Sequence, residues 1–235
     1  MSGENDPRAV ETPGALGRLG RLDSGALSDA LDRLALAGCV TGLRPVTVAR
    51  RIVGRVHTVK LAAGATGASE AAAGGAPRHL ATRAIALCAA GDVLVIEQRT
   101  GIDAACWGAI LSHGARLRGI AGVIADGPVR DIDEARELAF PVYGRSVTAR
   151  TARGRIHESG TDVPVQVADV IVHPGDYALA DASAVVFVRP DRLAEVLDAA
   201  EAIAAREAAM VRELRGGRAI AEALGADYEH MLRKE

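Results

Sequence analysis

Apolar positions first recur at helical spacing at Leu27, Leu31 and Leu34. Asp23 or Ser24 stands ready to cap that helix, and Gly38 marks its expected end. From Val46 to Lys60 the β-branched residues Val46, Val48, Ile52, Val53, Val56 and Val59 predict strand, with Gly54 as a bend or bulge. Residues 62–77 are small and low in complexity and predict a surface loop, a candidate lid. A helix is expected from His79 to Ala89, then a turn at Gly91-Asp92 and a buried strand at Val93–Ile96. Another helix spans Trp107 to Arg118. Gly122–Ala125 reads as a strand broken by Asp126-Gly127-Pro128. A short helix over 131–139 and a strand at Pro141–Tyr143 follow, then strand material over Val163–Val172. The turn Gly175-Asp176 precedes Tyr177–Ala180, and Pro190 ends a strand at Val185–Val188. Residues 191–215 form a long amphipathic helix, with Leu193, Val196, Leu197, Ala200, Ile203, Ala204 and Met210 on one stripe.

This alternation predicts a single α/β domain over residues 21–235 with helices at both ends, behind a flexible leader over 1–20 that carries Pro7 and Pro13. The stripe at 191–215 asks for a partner surface and so argues for self-association. A hydrophobic fraction of 49% and mean hydropathy of +0.13 are ample for a core. A net charge of -2 with only 3% aromatics leaves neither a basic face nor base-stacking platforms, so nucleic acid is not an expected partner. Cys39, Cys88 and Cys106 are odd in number and lack C-x-x-C spacing, which suits reduced thiols in the cytoplasm. The first residues lack the apolar core of a signal peptide, and no apolar run reaches bilayer-spanning length, so no membrane association is expected.

Candidate chemistry concentrates in Val123–Asp131, where an apolar run enters a Gly-Pro turn and delivers a cation beside a carboxylate. Arg130 offers a planar fork that can hold a carboxylate through paired hydrogen bonds. Asp131 can hold a divalent metal through oxygen, or cap the helix after it, whose first turn holds Asp133 and Glu134. Upstream, Gly108, Ile110 and Leu111 open a helix whose free N–H groups favour anions; equally, Trp107 can be a core residue and Gly108 a packing one. The six histidines show no zinc-motif spacing, and the glycines match neither dinucleotide nor phosphate-loop patterns. No lysine lies near the Arg-Asp pair, which favours metal over Schiff-base activation.

The run Ala105–Gly108, Leu117–Asp131 and Phe140–Val142 resembles the RraA-like family, which includes the class II 4-hydroxy-4-methyl-2-oxoglutarate aldolases. The likeness extends to Ser28–Asp32, Gly91–Val95, Val163–Gln166, Pro174–Asp176 and Ala182–Val186. It implies a β/β/α swivelling-type fold, homotrimers or homohexamers with sites between subunits, and Mg²⁺ or Mn²⁺ as cofactor. The implied activity is cleavage of a 2-oxo acid to pyruvate, by retro-aldol reaction or by decarboxylation of oxaloacetate. Carried over by position, Arg130 binds the substrate and acts catalytically, Asp131 holds the metal largely through waters, and amides near Gly108, Ile110 and Leu111 bind the carboxylate. Glu207 of a neighbouring subunit supports the metal waters. Two positions depart from the aldolase pattern. Ala109 stands where those aldolases carry an Asp, and Arg150, Arg153 or Arg155 replaces a lysine. A methyl group orients no water, so a base must come from Glu97, His113 or the substrate, whereas decarboxylation needs none. The alternatives are a non-catalytic regulator of an RNA-degrading endonuclease and a secondary-metabolism lyase or isomerase with another substrate.

Overall fold

In the computed structural model, which describes residues 14–64 and 79–224, one long strand organises the fold. This is β3 (Ile52–Ala63), with β1 (Cys39–Val40) and β2 (Arg44–Pro45) before it. One edge of β3 pairs in parallel with β4 (Val93–Glu97), in the register Val56 to Val93 through Lys60 to Glu97. Its other edge first takes β10 (Tyr177–Ala180) antiparallel along Ile52–Arg55, then β7 (Ile156–Thr161) along Val59–Ala63. With β5 (Gly122–Val129), β6 (Val142–Val147) and β11 (Val185–Val188), the nine-stranded sheet runs β1-β11-β10-β3-β4-β5-β6-β2, and β7 lies off this path.

Strict alternation along the parallel strands assigns each face a layer. Leu94, Ile96, Val123 and Ala125 pack with Ala84 of α3 (Thr82–Leu87), Ala115 of α4 (Ala109–Arg118) and Ile132 of α5 (Ile132–Glu137). Val93, Val95 and Ile124 pack instead against the hairpin of β8 (Val165–Val167) and β9 (Val170–Val172). The result is hairpin, sheet and helices, a β/β/α layering.

A further core lies where β10 and β11 meet the terminal helices. Tyr177, Leu179, Val186 and Val188 are covered by α1 (Ala15–Leu19), α2 (Ser24–Arg33) and α6 (Leu193–Arg215); α7 (Ile220–Leu224) follows. Leu193, Val196, Leu197, Ala200 and Ile203 of α6 are all buried there. Each large apolar side chain so buried contributes roughly 2 kcal/mol. The chain itself therefore supplies the surface that the α6 stripe asks for, and the stripe no longer argues for self-association. Residues 15–19, expected within the leader, form α1 with Leu19 buried. Residues 1–13 and the loop region 65–77 lie outside the described residues.

One open choice is decided and three expectations change, each for a physical reason. Asp23, rather than Ser24, caps α2 by accepting from Ala26 N–H. That helix ends before Gly38, at Ala35 (φ 53), with Leu36 N–H returning to Leu31 O. Gly38 serves packing, because a Cβ there would sit 2.3 Å from Phe187 O. Gly54 is neither bend nor bulge but a close approach, its absent Cβ leaving room for Gly91 O at 2.2 Å; the irregularity of β3 lies between Lys60 and Leu61.

Asp126-Gly127-Pro128 does not break β5. A register shift against β6 between Ala125 and Pro128 absorbs the proline, and pairing resumes at Ser146. Asp126 is no solvated turn former. It is buried, and its carboxylate accepts from Arg145 Nε at 2.6 Å and from Ala168 N–H at 2.8 Å, tying β5 to β6 and to the β8–β9 hairpin.

At the turn into β10, Asp176 is buried and accepts from His173 N–H at 2.8 Å. Burial pushes its carboxyl from 3.8 up to about 6, against the opposing pull of that N–H and of His173 and Arg189, with Asp191 adding to the rise. A carboxyl raised on folding contributes stability below pH 4 that is lost as the pH rises through about 6. Thermal melts of wild type and Asp176→Asn between pH 4 and 7 should therefore diverge. Wild type loses on the order of 2 kcal/mol relative to the variant over that range. Parallel pH profiles would contradict this. Among the described residues no helix is long and apolar enough to cross a membrane.

Candidate active site

The site grows from two segments zipped together at the carboxyl end of β5. Cys106 N–H donates to Pro128 O at 2.9 Å, and Arg130 N–H donates to Trp107 O at 3.0 Å. Trp107 is a core residue: it is buried, its ring stacks on Phe140 with centroids 6.4 Å apart, and its Nε1–H donates to Ser112 Oγ at 2.9 Å. That anchor fixes where α4 begins. Gly108 is its N-cap in extended conformation, so its role is spatial rather than torsional. A Cβ at Gly108 would meet Asp131 Oδ2 at 2.6 Å, Arg130 Cγ at 3.2 Å and Arg130 Nε at 3.3 Å.

Asp131 departs from one of its two sequence readings, the cap of its own helix. It occupies the N-cap position of α5 but makes no side-chain cap there, and its backbone is left-handed (φ 56, ψ 45). A non-glycine residue held so costs on the order of 1 kcal/mol and persists only where its surroundings impose it. The carboxylate turns instead to the neighbouring helix: Oδ2 accepts from Ala109 N–H at 2.9 Å and faces Arg130 Nε at 3.4 Å. Oδ1 has no donor among the described residues. Ile110 and Leu111, next in α4, present N–H groups that helix geometry leaves unsatisfied, at the positive end of its dipole.

These residues share one cavity of about 380 Å³. Gly108, Ala109, Ile110, Leu111, Arg130 and Asp131 form one wall, and His79, Thr82, Thr151 and Arg153 stand among the residues of the rest. The structure thus brings together the Arg-Asp pair and the opening of α4. It separates Glu207, which lies on α6 and does not line this cavity; burial and the charges of Asp23 and Asp29 push its carboxyl up. Neither suggested base reaches the wall. Glu97 is buried, accepting from Gln166 N–H at 2.6 Å beside Lys60 at 3.7 Å, and His113 of α4 is exposed. Of the three arginines, Arg153 lines the cavity. Arg150 pairs with Asp103 at 3.4 Å and Arg155 donates to Thr151 O at 3.2 Å. Sequence reasoning missed His79, the imidazole on the cavity's other side, because no motif surrounds it.

Comparisons with known proteins identify the family. The RraA-like family, described as Aldolase/RraA, matches residues 24–187. The protein DlpA of Legionella pneumophila is 26% identical over 220 residues, covering 94% of this chain but only 35% of DlpA. The 4-hydroxy-4-methyl-2-oxoglutarate aldolase of Thermus thermophilus is 34% identical over 96 residues, 39% of this chain and 56% of that enzyme. The chain therefore spans about a third of the first relative's length and just over half of the second's. A crystal structure of an uncharacterized protein from Pseudomonas syringae superposes with a TM-score of 0.78 at 27% identity, covering 90% of this chain and 97% of that one.

Proposed function

Since the chain belongs to the RraA-like (Aldolase/RraA) family, we propose that it is a divalent-metal-dependent carbon–carbon lyase. It cleaves a short 2-oxo acid bearing a further carboxylate and releases pyruvate, as a 4-hydroxy-4-methyl-2-oxoglutarate aldolase, an oxaloacetate decarboxylase, or both. The observation that carries this reading is the joint placement of Arg130, Asp131 and the amino end of α4 on one cavity wall, with Gly108 leaving them room.

The residues fit a hard divalent cation such as Mg²⁺ or Mn²⁺. Asp131 keeps Oδ1 clear of donors among the described residues, the missing Cβ of Gly108 leaves room beside its Oδ2, and Mg²⁺ commonly takes one or two carboxylates while keeping its waters. When bound, the ion would supply a Lewis acid for the 2-oxo group. The chain's own contributions are distinct. Ile110 and Leu111 N–H groups receive the substrate carboxylate, and Arg130 faces the oxygen on which negative charge develops as the carbon–carbon bond breaks. Ala109 lends only its N–H, to Asp131. Loss of carbon dioxide needs no proton removed from a hydroxyl, so this wall suits decarboxylation better than aldol cleavage; for the latter, His79 is the imidazole within the cavity.

Purified protein with Mg²⁺ or Mn²⁺ should release pyruvate in a lactate dehydrogenase-coupled assay, faster from oxaloacetate than from 4-hydroxy-4-methyl-2-oxoglutarate, and chelation should stop it. No turnover of either substrate with metal present would overturn the proposal. Ala109 favours a second reading, a regulator acting by protein contact; it predicts no pyruvate and capture of an RNA-degrading endonuclease. Assembly as a trimer or hexamer is part of the proposal. Ile110 and Leu117, 87% and 89% exposed and one heptad apart on α4, supply an apolar stripe beside the cavity for a second copy. Glu207 would reach the metal waters only from such a copy.

A further inference from the structure

A second cluster lies at the opposite end of the parallel sheet. Asp92 precedes β4, whereas Arg130 follows the parallel β5, and no member of the cluster lines the cavity. His57 of β3 stands at its centre. Its Nδ1 is 3.0 Å from both carboxylate oxygens of Asp162, and its Nε2 is 3.3 Å from Asp92 Oδ2. Cys88, buried at the end of α3, completes the group: one ligand atom each from His57, Cys88 and Asp92 lies within 4.8 Å of the others. We propose that His57, Cys88 and Asp92 form a three-ligand site for Zn²⁺ or a similar borderline-soft cation, distinct from the lyase metal at Asp131.

Three observations converge on this site. The first is ligand chemistry: nitrogen, thiolate and one carboxylate oxygen suit Zn²⁺ or Co²⁺ and disfavour Mg²⁺, which takes oxygen. The second is spacing. Zinc–nitrogen and zinc–oxygen bonds near 2.0 Å at a tetrahedral angle place their donors roughly 3.3 Å apart, the separation already held between His57 Nε2 and Asp92 Oδ2. The third is the outer shell. Asp162 grips the far ring nitrogen and is itself held by Thr58 N–H at 3.2 Å, the carboxylate–histidine arrangement that orients metal-bound imidazoles.

His57 and Asp92 retain 18% and 16% side-chain exposure, which leaves the fourth position to water.

The test is Co²⁺ titration of the metal-stripped full-length protein, followed by absorption. One equivalent per chain should bind with tetrahedral visible bands and a thiolate-to-cobalt charge-transfer band. Cys88→Ala should lose that band, Asp162→Asn should weaken affinity by roughly 10–100-fold, and Asp131→Asn should leave the band intact. If Cys88→Ala misfolds by circular dichroism, Asp92→Asn replaces it and should weaken binding at least tenfold. No uptake, uptake without the charge-transfer band, or a band that survives Cys88→Ala overturns the proposal; a band lost with Asp131→Asn does so too.

Discussion

Arg130→Ala is expected to lower kcat/KM for pyruvate release by about 10²–10³-fold, the range typical for removing one preorganised donor to developing oxyanion charge. The fold should not change. Arg130 is anchored by its backbone, through the N–H donated to Trp107 O, and its side chain is 37% exposed with Asp131 Oδ2 as its ionic neighbour at 3.4 Å. Truncation therefore removes a charge without opening a core. Arg130→Lys keeps the charge but loses the planar fork, so it should recover only part of the activity. The coupled assay, read beside a thermal melt, decides the matter. Full activity in Arg130→Ala would remove Arg130 from the chemistry, and a collapsed melting temperature would mean its role is structural.

Gly108→Ala is expected to be nearly as damaging, although it adds a single methyl and no charge. The new Cβ would overlap Asp131 Oδ2, 2.6 Å away, and crowd the Arg130 stem. Asp131 is already held in a left-handed backbone and Arg130 is hydrogen-bonded through its N–H, so neither can retreat by backbone adjustment at low cost. The carboxylate must swing away from Ala109 N–H. A displacement of about 1 Å at a reacting group costs on the order of 10²-fold in rate. The same strain should lower stability by about 1–3 kcal/mol. Activity lost with the melting temperature lowered by only about 2–12 °C supports this account, whereas an active Gly108→Ala enzyme would refute it.

The central strands were legible in the sequence, because Val93–Ile96 and Val123–Ala125 are continuously apolar runs and are buried on both faces, whereas the β/β/α layering was implied only by the family resemblance. The hairpin partnership of β8 with β9 was hidden: Val163 to Val172 reads as strand material, and nothing local specifies the reversal at Ala168 (φ 52). β7 was missed because Ile156–Thr161 is polar and pairs only along one edge of β3. Of the candidate site, the residue types were legible but their relations were not. Asp131 looked like a cap for its own helix, and local sequence carries no sign that Ala109, far upstream, would receive its oxygen. Arg153 among three arginines, and His79 beyond a low-complexity stretch, depend on how distant loops close over one wall. The His57–Asp92–Asp162 triad escaped for the same reason, since its members come from three distant segments, one a strand and two the turns beside it.

The cavity's two sides are built on different principles, and this sets what can vary. The wall holding Arg130, Asp131 and Gly108 is welded to the sheet through Cys106–Pro128 and Trp107–Arg130, so a change there is transmitted to every group proposed to grip the 2-oxo acid. The wall contributed by His79, Leu80, Thr151 and Arg153 belongs to no strand ladder. On the proposed lyase reading, substitutions there should alter the room and charge offered to the substrate's distal end while leaving the grip alone. A chain built this way can exchange one acid for another by editing loops, keeping a single chemical step as a fixed tool.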